Sequence, residues 1–124
     1  MTEGHASRRF TFPKARRLTR SSEFDQVKNN GRAERGKFLV LSVLPVAKGN
    51  RFRAGFVTSR ALGPAVVRNR VRRRLREIVR RHQHQIRDDV WIVTIARVSA
   101  AAASFQQLEG EWLRMATRAS ILAP

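Results

Sequence analysis

Residues 65–81, AVVRNRVRRRLREIVRR, place two demands on the chain that few folds meet together. Eight residues in 67–81 are arginine: Arg68, Arg70, Arg72, Arg73, Arg74, Arg76, Arg80 and Arg81. Threaded through them are Val67, Val71, Leu75, Ile78 and Val79. At ~100° per residue these five fall within about 120° of arc, one face of an α-helix. Asn69, Arg72, Arg73, Arg76 and Arg80 lie on one flank of that face, and Arg70, Arg74 and Arg81 on the other. Glu77 lies between the flanks, three or four residues from Arg73, Arg74, Arg80 and Arg81. Arg68 falls inside the apolar arc, in the first turn, and is expected to point past a sheet edge. A disordered basic tail carries no such stripe. A merely solvated face mixes signs, whereas this one sets a single Glu against eight Arg. Each like-charged i,i+4 pair costs a few tenths of a kcal/mol. An anionic partner explains a face that bears this cost along its whole length.

The rest of the chain has the same sign: 26 Lys and Arg against 9 Asp and Glu, net +17 over 124 residues. Nucleic acid is the partner this charge favours, because phosphate contacts release counterions. A membrane surface fits less well, since the apolar stripe reads as core. Of the basic residues 22 are Arg. That preference carries little weight, because codon bias produces it as readily as the need for bidentate phosphate contacts. With no Cys, disulfides and Cys-built zinc sites are excluded, and His5, His82 and His84 are too scattered for a His-based metal site. No apolar run approaches the ~20 residues that span a bilayer. The N-terminal MTEGHASRRFTF lacks the apolar segment of a signal peptide. The expected compartment is the cytoplasm.

Length sets one domain. Residues 1–13 read as a mobile basic tail ending at Pro13, with Phe10 and Phe12 able to pack back; residues 14–120 read as the folded domain. A short helix follows Ser21 or Ser22 as cap, with Glu23 and Asp25 at its positive end, Phe24 and Val27 on its apolar side, and a stop at Asn29-Asn30-Gly31. Residues 38–46, FLVLSVLPV, and 51–59, RFRAGFVTS, read as two strands joined by the Lys48-Gly49-Asn50 turn into an antiparallel hairpin. In the second strand Phe52, Ala54 and Phe56 share one side, and Arg53, Gly55 and Val57 the other. Gly63-Pro64 introduces the arginine helix. Residues 90–96, VWIVTIA, read as a strand covered on both faces. Ser104 and Gln107 form a capping-box pattern ahead of Phe105, Leu108, Trp112, Met115 and Ala119 at helical spacing. The expected fold is therefore α+β, one layered sandwich with a central, mostly antiparallel sheet. Its order is helix, strand, strand, helix, strand, helix, with room for a further short strand near Arg32 to Gly36. Phe52 and Phe56 read as core, as do Trp91 and Trp112; Phe38 divides evenly between core and surface roles; His82 and His84 are expected to end the helix in solvent.

The helix sits between strands, with no second helix of a helix-turn-helix and no heptads, which favours RNA over a DNA groove reader. Residues 63–77, GPAVVRNRVRRRLRE, resemble the signature of the bacterial ribonuclease P protein component, G-x-A-V-x-R-N-R-x-K/R-R-x-x-R, with Pro64 where Asn is usual. Arg17-Leu18, Ser21 and Phe24 resemble that family's entry to its first helix. Residues 38–41 and Gly55 with Ser59-Arg60 resemble its first strands, and Asp89 with Ile95-Ala96-Arg97 its late strand. The resemblance implies a fold like the second domain of ribosomal protein S5 (ribosomal-protein-S5-domain-2-like). It also implies a subunit of an endoribonuclease that releases the 5′ leader of precursor tRNA. In that assembly the RNA is the catalyst, Mg²⁺ serves the RNA, and the protein supplies no catalytic residue. Carried onto this chain, it assigns Arg68, Asn69, Arg70, Arg72, Arg73, Arg74 and Arg76 to the catalytic RNA. It assigns Phe24, Lys28, Phe38, Leu41, Ser59 and Arg60 to a leader-binding cleft between the first helix and the sheet. Lys28 and Leu41 stand where some relatives carry aromatics, so a cleft richer in charge than in stacking surfaces is expected. The implied partners are the catalytic RNA and precursor tRNA, with no obligate protein partner and no organic cofactor.

Two other readings fit the residues alone: a ribosomal or other structural RNA-binding protein of similar fold, and a DNA-binding regulator. A protein-borne nuclease centre would have to draw on Asp88, Asp89, Glu109, Glu111, His82 and His84. Asp88-Asp89 has the placement of a turn, and Glu109 and Glu111 do not share a helix face.

Overall fold

The computed structural model describes residues 12–122. Helix α1 spans Ser21–Asn30; strands β1, β2 and β3 span Arg32–Arg35, Leu39–Pro45 and Arg53–Val57; helix α2 spans Ala65–His82; β4 spans Val90–Ala96; and helix α3 spans Phe105–Arg118. The additional short strand is present as β1.

The sheet order is β1-β2-β4-β3, and this corrects the expected hairpin. β2 and β3 do not pair. β4 lies between them, antiparallel to β2 (Leu41 opposite Thr94) and parallel to β3 (Gly55 opposite Val93). The physical reason lies in the strands themselves. Residues 90–96 are apolar on both faces, so a central position covers both and satisfies both ladder edges. β3 carries Arg53 and Gly55 and tolerates an edge. The 46–52 connection wraps the start of β4: Val46 N–H donates to the Asp89 carbonyl at 2.9 Å, and Asp89 N–H to the Asn50 carbonyl at 2.9 Å. Asp89 takes a left-handed φ of 67° there, a conformation Asp tolerates better than most residues.

Side chains alternate across the sheet into two cores. On one face Leu39, Leu41, Val43, Ala54, Val90 and Ile92 pack against α2 and α3, which contribute Val71, Leu75, Ile78, Val79, Leu108, Trp112 and Met115. The arginine helix thus buries the stripe its spacing prescribes, with Val67 half-buried at its first turn. On the other face α1 lays Val27 and Phe24 over Val93, Leu44, Val57, Trp91 and Ile95. Trp112 is buried as expected, its Nε1 donating to Thr94 Oγ1 at 3.1 Å. Trp91 is only half-buried, with the Arg53 guanidinium over its ring at 5.4 Å.

Phe12 is buried against Phe52 and Phe56, at ring-centroid distances of 6.4 and 6.3 Å. Phe12, inside the stretch read as tail, is therefore packed; residues 1–11, Phe10 among them, lie outside the described residues. At α1, Ser21 and Ser22 lie within the first turn rather than capping it. Glu23 Oε1 instead accepts the N–H groups of Thr19 and Arg20, both at 3.0 Å. Gly63, at φ +135°, occupies backbone space closed to other residues just ahead of α2. Ser104 and Gln107 form the expected capping box of α3.

Glu111 is the largest surprise of the core. It is 4% exposed. Its carboxylate accepts three backbone N–H groups at the β1–β2 turn: Lys37 at 2.9 Å, Phe38 at 2.7 Å and Leu39 at 2.7 Å. A β-carbon at Gly36 would collide with it. One side chain thus satisfies a turn that no strand can, and ties it to α3. Glu111→Ala strands those donors and is expected to cost about 3 kcal/mol or more in urea unfolding. Glu111→Gln, which keeps one acceptor oxygen, should cost less.

Candidate nucleic-acid interface

Helix α2 carries its arginines at both flanks of the buried stripe, and the flanks differ in what they touch. On the α3 side, Arg70 donates to the Ala101 carbonyl at 3.4 Å and Arg74 to the Ala103 carbonyl at 2.9 Å. Arg81 covers the Phe105 ring at 4.8 Å and reaches Glu109 at 3.5 Å. Glu77 takes Arg80 and Arg81, two of its four possible partners. The Arg80 hydrogen bond, opposed by burial, holds the Glu77 carboxyl below the usual carboxylate range. His82 does not end in solvent: it is half-buried, 3.0 Å from Glu109 and stacked on Trp112.

On the other flank Arg80 is paired with Glu77, but Arg72 and Arg76 have no carboxylate partner among the described residues. Arg72 and Arg76 turn toward α1 and join Arg17 around a concavity lined by Leu18, Phe24, Gly55 and Phe56. The Nε groups of Arg17 and Arg76 are buried and make no hydrogen bond among the described residues. Burial, and then repulsion from Arg17 and Arg72, lower the affinity of the Arg76 guanidinium for its proton. The side chains of Arg68 and Arg73 likewise make no hydrogen bond or ion pair among the described residues. Arg68 is half-buried and Arg73 exposed.

The concavity continues along β3 into a groove lined by Ser21, Phe24, Asp25 and Lys28 of α1, by Phe56, Val57 and Thr58, and by Arg72. Gly55 makes the groove floor possible, because a β-carbon there would run into the Phe24 ring. Phe24 and Lys28 are thus placed where the cleft was expected, and the exposed Ser59 and Arg60 follow Thr58 directly. Leu41 is a correction: it is 0% exposed and points to the α2–α3 core. Strand alternation puts its neighbour Val40 on the α1 side instead. Phe38 packs half-buried against that same core, at the turn held by Glu111, away from the groove lining. Arg17, Phe56 and Thr58 escaped the sequence reading as site residues. Arg17 was legible only as part of a motif, and Phe56 only as an alternating core residue.

The carboxylates considered for nuclease chemistry do structural work. Asp88 Oδ1 accepts Phe52 N–H at 3.3 Å, Asp89 Oδ1 accepts Asn50 N–H at 3.2 Å, and Glu109 and Glu111 are engaged as above. Among the described residues no three His, Asp or Glu side chains are placed to hold a metal ion, and no helix is long and apolar enough to cross a membrane.

A basic helix docked by its apolar stripe on a mixed sheet, with an uncompensated arginine cluster opening into a groove, defines a small α+β nucleic-acid-binding domain. The sequence profile of the Ribonuclease P family matches residues 12–120. The ribonuclease P protein component of Syntrophomonas wolfei is 34% identical over 110 residues, 89% of this chain and 92% of that protein. That of Acidothermus cellulolyticus is 44% identical over 108 residues, 86% and 89% of the two chains. The RNase P protein of Staphylococcus aureus superposes with a TM-score of 0.81 at 26% identity, over 88% of this chain and 99% of that one. That of Thermotoga maritima gives 0.74 at 25%, over 82% and 96%. The chain belongs to the bacterial ribonuclease P protein components, protein subunits of the endoribonuclease that matures the 5′ ends of tRNA.

The groove's α1 wall depends on Glu23, whose Oε2 accepts from Arg53 at 2.7 Å while Arg53 also donates to the Arg17 carbonyl at 2.8 Å. Burial raises the Glu23 carboxyl, but the Arg20 and Thr19 amides and Arg53 outweigh it and hold it at about 2. A lowered carboxyl stabilises the fold fully above its ordinary value of 4.5, and that contribution is lost as pH falls toward 2. Glu23→Gln should therefore lower stability at neutral pH and flatten the stability loss between pH 4.5 and 2, read by urea unfolding across that range.

Proposed function

We propose that this subunit docks on the catalytic RNA of ribonuclease P through the uncompensated arginines of α2, and holds the 5′ leader of precursor tRNA in the groove beside α1. The observation that carries the proposal is the Arg17–Arg72–Arg76 cluster. Its three guanidiniums repel one another, and two of them have buried donors with no partner among the described residues. An RNA phosphate would satisfy those donors and relieve the repulsion.

Arg68, Asn69, Arg70, Arg72, Arg73, Arg74 and Arg76 are assigned to the surface that meets the catalytic RNA, with Arg70 and Arg74 also bracing α2 against the segment before α3. Phe24, Lys28, Ser59 and Arg60, joined by Phe56, are assigned to the leader. Phe24 and Phe56 offer stacking surfaces, worth ~1–3 kcal/mol per base, and Lys28 and Arg60 offer charge. Mg²⁺ enters with the RNA, which carries the cleavage chemistry; the protein's part is to bind both RNAs and lower the ionic strength they need. The site of action is the cytoplasm.

Adding the protein to a bacterial ribonuclease P RNA at low Mg²⁺ should stimulate precursor-tRNA cleavage; no stimulation sinks the proposal. Arg76→Ala should weaken RNA binding about tenfold and reduce the salt slope by about one. The free protein's melting temperature should not fall, because a repulsive cluster is being relieved. Phe24→Ala should weaken binding of leader-bearing precursor more than of leaderless tRNA.

A further inference from the structure

Arg72 is held differently from every other arginine of α2. Its Nη1 donates to Asn69 Oδ1 at 3.1 Å, and its Nη2 donates to Thr58 Oγ1 at 2.6 Å. Both acceptors are neutral. Arg80 and Arg81, by contrast, are fixed by carboxylates that cancel their charge. Arg70 and Arg74 are fixed on carbonyls of the chain before α3, away from the groove. Arg73 is exposed and makes no such contact among the described residues.

We infer that Thr58 and Asn69 are positioning residues for Arg72: they act on RNA through its guanidinium rather than by touching RNA themselves. A guanidinium has five N–H donors, so about three remain for a phosphodiester once these two bonds are made. The two bonds come from different elements. Asn69 lies one turn back on α2, and Thr58 lies just past the end of β3, in the wall of the groove. They fix the plane of the guanidinium between the docking helix and the groove and leave its full charge available. The rotamer freedom of a long side chain is then lost on folding rather than on binding RNA. This separates Asn69 from the arginines on either side of it. A carboxylate at either position would order Arg72 equally well but would neutralise it.

The inference rests on the proposed RNA-binding role, and its test has one arm that does not need RNA. In the free protein, side-chain NMR relaxation of the Arg72 guanidinium should report an ordered group. Thr58→Val, which removes the hydroxyl and keeps the shape, should mobilise it, and Thr58→Ser should not. In the RNA arm, dissociation constants are measured for the ribonuclease P RNA and, with the assembled holoenzyme, for precursor tRNA. Arg72→Ala identifies which of the two the group serves. For that ligand Thr58→Val and Asn69→Ala should each weaken binding by about three- to tenfold, because the cost of ordering the Arg72 side chain then falls on the binding step, with the salt slope unchanged. Thr58→Ser should restore affinity. Neither variant should add to the loss in an Arg72→Ala background.

Additive losses would mean that Thr58 or Asn69 touches RNA directly and would overturn the inference. So would a mobile Arg72 in the wild-type protein, or normal affinity in both variants. Should Thr58→Val fail to fold, Asn69→Ala, at an exposed position, carries both arms. If the wild-type protein binds neither RNA, the proposed function fails, while the NMR arm still decides whether Arg72 is held.

Discussion

Everything in this protein depends on how firmly α2 is held by the burial of Val71, Leu75, Ile78 and Val79. Each is 0% exposed. At roughly 1.5–3 kcal/mol per buried side chain, the four outweigh by severalfold the few tenths of a kcal/mol that each like-charged pair costs along the same helix. That margin lets one element be both a core helix and a concentrated cationic surface. A weaker stripe would leave the arginines on a frayed segment, with charge but no fixed geometry.

The fold then sorts those arginines by what each can reach. Arg80 and Arg81 are neutralised around Glu77, and Arg70 and Arg74 brace the segment before α3. Arg72 and Arg76 are left uncompensated where α2 passes α1 and meet Arg17, which arrives from a part of the chain more than fifty residues away. The two functions proposed for the surface, docking one RNA and holding the end of another, converge on that junction. Arg72 belongs to both, since it lines the groove and sits on the helix flank.

The polar contacts that make this possible are carboxylates used against backbone. Glu111 gathers three amides at the β1–β2 turn, and Glu23 gathers two at the start of α1 while holding Arg53. In a chain with so few acids, these two are turned largely on backbone N–H groups, and much of the surface arginine charge remains for a polyanion.

Much of this was legible in the amino acids. The period of residues 67–79, the capping box at Ser104, the two-faced apolar run at 90–96 and the Gly63 corner each rest on local physics, and each appears in the structure as read. The motif around Arg68-Asn69-Arg70 identified the family. Adjacency was not legible. Two strands joined by a short turn look like a hairpin, and only competition among all the strands puts β4 between them. Leu41 looks like its neighbours until register decides which face it serves. The partners of Glu111, the approach of Arg17 to Arg76 and the grip of Thr58 on Arg72 all join residues far apart in sequence. Local pattern determined which elements form and which sides they bury. Only the packed tertiary structure, where hydrogen bonds and charges separated along the chain come within a few ångströms, decided which arginines are neutralised by carboxylates and which keep their charge.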